Sequence, residues 1–463
     1  MRKNLLLTMC LAACSSFVLA QDGTNLDNYF DGNSEFTVIG TSSHSLNTPV
    51  DLDFHPAADR AYELWVLNRR SFTSGQGATT VIFHNAGRID QSNEFRRDGV
   101  AGHFMAGATA IDFSPENENW GSSTGVLNAN FQGTTFTGPS LWSSDLDIYG
   151  IIGNPASAQF NGSHLDMLHQ SPWGMGIAHE VDNVFWVFDG FNGHVVRYDF
   201  ADDHGPGQDF HGDGRIRRYP DVAVEKVDAI PSHMVLDKEN NMLYICDTGN
   251  DRVLRLDITS GTEGSALTSF TEQLAEFREM DNPDWDVILT GLDDPCGIEV
   301  VGDRLIISEN GSNDIIFYDI SGDMPVEIDR LNYGADASSV MGLTVGPDGL
   351  IWFVDNTRRE VVRIDNPNVV IFPTGVDNKA TQTADFKVYP NPSNGLFYLE
   401  SSNVNTDEMF QVRVYDLLGK QVHQQQNQFN GNQIMDLNNL KAGIYILSIS
   451  NETESVTKKI IVE

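Results

Sequence analysis

The 463-residue chain is poor in cysteine, in basic residues and in long apolar runs. It has four cysteines, and Cys10 and Cys14 fall in the first twenty residues. Only Cys246 and Cys296 remain beyond them, so a fold stapled by several disulfides is excluded and one disulfide is the most that can form. Lysine and arginine total 29 against 65 acids, a formal charge of −36. Such a surface repels nucleic acid and anionic lipid, and no basic run offers an exception. It suits cation binding, although a solvated acidic surface is the blander and favoured reading. After residue 20 no segment is long and apolar enough to span a membrane as a helix. What the chain has instead is 40% hydrophobic residues and 41 glycines, a composition that is globular rather than disordered.

Residues 1–20 read as an export signal. Arg2 and Lys3 supply the charged start, Leu5 to Ala13 the apolar stretch, and Val18-Leu19-Ala20 a small-residue cleavage site before Gln21. A second reading takes Leu11-Ala12-Ala13-Cys14 as a lipobox with Cys14 lipidated. The apolar stretch runs past Cys14 to Leu19, which favours cleavage after Ala20.

Composition shifts near residue 375. A polar linker, 376–385, leads into 386–463, where apolar residues alternate along short runs separated by Pro, Asn and Gly turns. That pattern predicts a small β-sandwich. Tyr389-Pro390-Asn391-Pro392, Asp416-Leu417-Leu418-Gly419-Lys420 and Ala442-Gly443-Ile444-Tyr445 occur in this order at the extreme C-terminus. Together they resemble the sorting domain of the type IX secretion system. The resemblance implies Sec export, then passage across the outer membrane by the type IX machinery. Cleavage of the tail follows, with release or attachment at the cell surface.

The cargo, 21–375, is a repeat. Four segments align: MGIAHEVDNVFWVFDGFNGHVVRYD (175–199), HMVLDKENNMLYICDTGNDRVLRLD (233–257), CGIEVVGDRLIISENGSNDIIFYD (296–319) and MGLTVGPDGLIWFVDNTRREVVRID (341–365). Two degenerate copies precede them, at 49–85 and 107–130. Each copy reads as strand, hairpin, strand, turn, strand, with Asp189, Asp247, Glu309 and Asp355 at one aligned place. A carboxylate there caps the following turn, so these acids are structural. Fourth strands are predicted at 285–291 and 326–332. A unit of this size cannot bury both its faces alone. Six copies predict an all-β fold, a six-bladed β-propeller, with the strand 36–40 closing the ring and the β-sandwich following. The four good copies resemble NHL repeats, and a monomer is expected.

Counting back from the aligned acid gives each blade's residue at the channel entrance: Met175, His233, Cys296 and Met341, with Val50 and Thr109 in the degenerate copies. His169 lies in the loop entering the third blade. Imidazole, thiolate and thioether together suit zinc or copper, whereas Met and Cys also pack as plain inner-strand residues. Peptidyl-hydroxyglycine amidating lyases are similar propellers, and that resemblance implies zinc-binding histidines at this entrance. Only His233 matches their pattern, and Met175, Cys296 and Met341 depart from it. Around the loop face, His194, Arg252 and Trp173 are the candidate ligand contacts. His179 is expected exposed at the opposite end, and His164 and Asp166 share one face of a strand. The insertion 199–221 is long for a propeller hairpin. Within it, 209–214 resembles the start of a calcium loop but lacks the middle acid and a clear acid at the far end, and a solvated acidic loop is the better reading.

No serine-hydrolase elbow, P-loop or dinucleotide fingerprint is found. The sequence predicts a secreted or surface propeller that binds an extracellular ligand (glycan, peptide or protein). Its alternative is a zinc- or copper-dependent lyase, hydrolase or oxidoreductase at the channel entrance.

Overall fold

The computed structural model describes residues 23–69, 77–130, 135–155, 157, 161–208, 210–334, 338–369, 385–402, 409–415, 421–428, 433–450 and 455–462. Residues 1–20, Asp209, the linker up to residue 384 and the run 416–420 lie outside these. The chain divides into two compact units, 1–375 and 376–463.

Unit one is all-β and propeller-like, built from six sheets. Their first strands are Pro49–Phe54, Ala110–Phe113, Gly174–Val181, Met234–Asp237, Pro295–Val301 and Val340–Val345. Each of these strands packs against the next, and Val340–Val345 packs against Pro49–Phe54. Second strands are buried on both faces, as in Leu64–Asn68, Val184–Asp189, Arg304–Glu309 and Ile351–Asp355. That explains why they read as unbroken apolar runs. The outer strands Ser92–Arg96 and Val326–Asn332 are exposed and charged. The aligned acids cap turns: Asp189 accepts the Phe191 and Asn192 N–H groups, and Asp355 accepts those of Ser339 and Arg358.

The strand Glu35–Gly40 completes the sixth sheet, with Val38 opposite Val362. The third sheet departs from the four-strand pattern. Beyond its fourth strand, Arg215–Ala223, it gains Glu276–Asp281 in parallel and then Thr262–Ala266. Both extra strands come from the connection between the third and fourth strands of the fourth sheet, Arg252–Asp257 and Trp285–Thr290. A chain excursion from one sheet therefore docks on the edge of another.

Unit two holds a three-stranded sheet (Asp385–Tyr389, Leu396–Ser402, Gln433–Asp436) and a four-stranded one (Met409–Tyr415, Gln421–Gln428, Gly443–Ser450, Ser455–Val462). Phe386, Phe397 and Met435 of the first share a core with Phe410, Val412, Leu447 and Ile460 of the second.

Candidate functional site

The residues expected at the channel entrance are packed as core. His233 is buried, with Nε2 3.1 Å from the Thr109 carbonyl and Nδ1 3.6 Å from Asp51. Burial pushes its ring down to about 4, so the imidazole is neutral near pH 7. Cys296 is wholly buried, its sulfur 3.4 Å from the Val340 carbonyl and 3.5 Å from the Ser308 hydroxyl. Burial pushes this thiol up to about 12, which removes the thiolate a soft metal needs. Cys246 and Cys296 are both free thiols. Met175 and Met341 lie in different apolar clusters. His233 and Cys296 enter no three-residue group of potential metal donors among the described residues.

The loop-face candidates have structural partners. Arg252 binds Asp247 at 2.7 Å and the Ala223 carbonyl at 2.9 Å. His194 is buried, and burial, with the nearby Arg218 cation, holds its ring at about 4. Trp173 takes a left-handed backbone, φ 53°, and lies under the Lys226 ammonium at 5.0 Å. His179 is not exposed as expected. It is 2% accessible, its Nδ1 accepts from Lys238 at 2.7 Å, and its N–H donates to Asp112.

His179 and His233 line a pocket of about 280 Å³ with Asp51, Asp53, Asp112 and Glu299. Burial raises Asp51 to about 8, Glu299 to about 7 and Asp112 to about 6. Asp53 is raised too, by burial and then by the neighbouring Asp112 and Glu299 charges. Folded-state values above the unfolded ones mean that the fold favours the protonated acids. Their contribution to stability is present below about pH 4 and is lost as pH rises to about 8. Asp53→Asn keeps the acceptor for the Phe54 N–H. It is expected to raise the melting temperature more at pH 8 than at pH 5. Equal shifts at both pH values would contradict this electrostatic account.

His169 belongs to a different place. It follows His164–Met167, the outermost strand of the second sheet, where both long insertions meet. The first insertion is strapped down by the Gly207 N–H on the His164 carbonyl and brings His211. The second is stitched by Gln170, which bonds the Phe270 carbonyl and the Glu272 carboxylate, and brings Glu272. Glu272 Oε2 lies 3.2 Å from His169 Nδ1 and 3.0 Å from His211 Nδ1. Its two oxygens also accept the His169 N–H. Burial raises the Glu272 pKa, but the hydrogen bonds from His169 and His211 overcome that and hold it at about 2. The Phe136 ring stacks on His169 at 4.1 Å and 12°.

Around these groups opens a cavity of about 620 Å³, lined also by His103, Asn130, Asn161, Phe210, Thr271 and Gln273. Beneath it lie Asp166, 1% exposed, and His164, whose ring stacks on Phe104 at 3.5 Å. Burial raises Asp166 to about 7. Within the loop expected to resemble a calcium site, Asp213 bonds His204 and the Asp202 N–H. The sequence grouped His169 with His233, Cys296, Met341 and Met175, whereas the structure sets it beside His211 and Glu272, and Glu272 was not singled out. The one signal for Glu272 was length: 258–284 is as anomalous for a propeller connection as 199–214.

Residues 387–463 match the family of secretion system C-terminal sorting domains. The C-terminal unit is therefore a type IX sorting domain, and the chain is exported to the cell surface or the medium. An endo-acting ulvan lyase of Formosa agariphila is 29% identical over 98 residues, 20% of this chain and 18% of that one. The chain thus spans less than a fifth of that relative. Unit one is similar in shape to solved propeller-like structures. An auxiliary nutrient binding protein of Bacteroides ovatus is 11% identical with a TM-score of 0.44, over 72% of this chain and 76% of that one. The soluble aldose sugar dehydrogenase of Escherichia coli is 12% identical with a TM-score of 0.41, over 72% and 99%.

Proposed function

We propose that unit one is a six-bladed β-propeller of NHL-like repeats, delivered by a cleaved signal at 1–20 and by the type IX tail, a β-sandwich. Its role is to bind an extracellular glycan in the cavity between the outer strands of blades two and three. The observation that carries this reading is the convergence of two long insertions, from different blades, on one cavity. Long loops held over a rigid scaffold are where binding sites are built. The lining offers neutral hydrogen-bonding groups (Asn130, Asn161, Thr271, Gln273) beside the exposed ring of Phe210. Amides and hydroxyls pair with the hydroxyls of a sugar, and an aromatic face packs against its C–H surface. The residues expected at the channel entrance, Met175, His233, Cys296 and Met341, are by contrast all buried.

The mature chain is expected to bind one class of oligosaccharide when titrated calorimetrically against a panel of extracellular polysaccharide fragments. Phe210→Ala and Asn161→Ala are expected to weaken that binding about tenfold each, in line with the loss of one anchoring contact. Binding that neither variant weakens, or no binding across the panel, would sink the reading. The metal-dependent alternative moves to this same cavity, favoured by the three donors His169, His211 and Glu272 on its wall.

A further inference from the structure

We infer that His169, His211 and Glu272 form a zinc site, with the remaining coordination position facing the cavity that all three line. Zinc takes imidazole nitrogen and carboxylate oxygen at about 2.0–2.1 Å in a tetrahedron, which sets donors about 3.3 Å apart. Glu272 Oε2 stands 3.2 and 3.0 Å from the two Nδ1 atoms. Three donors, from just past the end of one outer strand and from two separate insertions, thus show two zinc-like separations, and all lie within 4.8 Å of one another.

The outward-facing nitrogens supply an independent argument. His211 Nε2 faces Asp166 Oδ1 at 3.9 Å, and Asp166 Oδ2 is buried with no hydrogen-bond partner among the described residues. His169 Nε2 faces His103 Nε2 at 3.5 Å. A neutral His211 that donated Nδ1–H to Glu272 would turn its Nε2 lone pair toward Asp166 Oδ1, an acceptor facing an acceptor whenever Asp166 is ionised. With zinc on Nδ1, the proton sits on Nε2 and points at Asp166. That is the carboxylate–histidine–metal arrangement that orients ligands elsewhere. His103 stands in the matching place behind His169. Asp166 and His103 are thus positioning residues, and Glu272 is itself fixed by the His169 N–H and the Gln170 amide.

Two imidazoles and one carboxylate favour zinc over calcium or magnesium, which take all-oxygen sets. Bound there, zinc would polarise a ligand oxygen or lower the pKa of a water facing the cavity. The inference does not depend on which organic ligand the cavity takes, and zinc alone is the probe.

The test uses the mature full-length chain, stripped with chelator and titrated with zinc, with cobalt as a spectroscopic substitute. One equivalent of zinc is expected to bind, and cobalt is expected to show the intense visible bands of a tetrahedral site. His211→Ala and Glu272→Gln are expected to lower zinc affinity by about 100-fold or more, and Asp166→Asn by about tenfold. His211 lies in a loop, so its variant is expected to melt as the wild type does in chelator. His204→Ala, in the same loop, is expected to leave affinity unchanged. The inference is overturned if no stoichiometric zinc binds, or if folded His211→Ala and Glu272→Gln bind it as tightly as wild type. The cluster would then be an imidazolium–carboxylate pair without metal. Failure of oligosaccharide binding with zinc affinity intact would instead count against the glycan reading alone.

Discussion

A chain that begins at residue 41 is expected to lose cooperative folding of unit one. Three things go with residues 23–40. The sixth sheet loses the strand Glu35–Gly40 and exposes the ladder edge of Glu360–Asp365. Leu26 and Tyr29 leave a core shared with Phe317, Phe353 and Ile364. The Tyr29 hydroxyl no longer accepts the Ile351 N–H at 3.0 Å or donates to the Ile364 carbonyl at 3.2 Å. Removing one large buried side chain costs about 3–5 kcal/mol, and a buried unpaired donor adds about 1–3 kcal/mol. Two such side chains, the lost ladder and the orphaned Ile351 N–H together approach the whole stability of an ordinary domain, about 5–15 kcal/mol. Thermal melting followed by circular dichroism should show no sharp transition for unit one in the truncated chain. A melt within a few degrees of the full chain would show that the ring does not need this strand.

Ending the chain at Gly375 is expected to abolish delivery beyond the outer membrane and to leave unit one folded. The sorting domain has its own core, in which Phe386, Phe397, Phe410, Val412 and Leu447 pack together. Unit one has separate cores, such as Trp65 against Phe113 and Trp120 at 5.5 Å each. Loss of the tail therefore removes the address and not the propeller-like body. Fractionation of a type IX-competent host should find the truncated protein inside the outer membrane, protease-resistant, and absent from surface and medium. Wild-type amounts in the medium would contradict the assignment of the tail as the export signal.

The strands of the last four copies were legible because their second strands are buried on both faces and their turns carry aligned acids. Val184–Asp189 and Arg304–Glu309 fall where the repeat spacing predicts them. The second sheet was harder to read: its strands Trp120–Ser123 and Ser140–Trp142 are only four and three residues long, and a long connection separates them. The extra strands Thr262–Ala266 and Glu276–Asp281 carry mostly exposed or half-exposed residues, so no apolar period marks them. The site was legible in part for the same reason. Repeat alignment fixes which residues meet at the channel, and it named His233, Cys296, Met175 and Met341. It is silent on where insertions fold. His169 stood out by its loop, but His211 and Glu272 reach it only through excursions from two sheets. The soft donors are explained by burial: Cys296 and Met341 fill a core with Leu52 and Ala108.

The central claim is that the working centre of this exported protein is the cavity of His169, His211 and Glu272 and not the channel entrance. Anomalous diffraction from crystals of the zinc-loaded mature chain, collected on both sides of the zinc absorption edge, tests it most directly. The account predicts one strong peak among His169 Nδ1, His211 Nδ1 and Glu272 Oε2. A peak beside His233 and Cys296, or no peak in crystals grown with equimolar zinc, would contradict it.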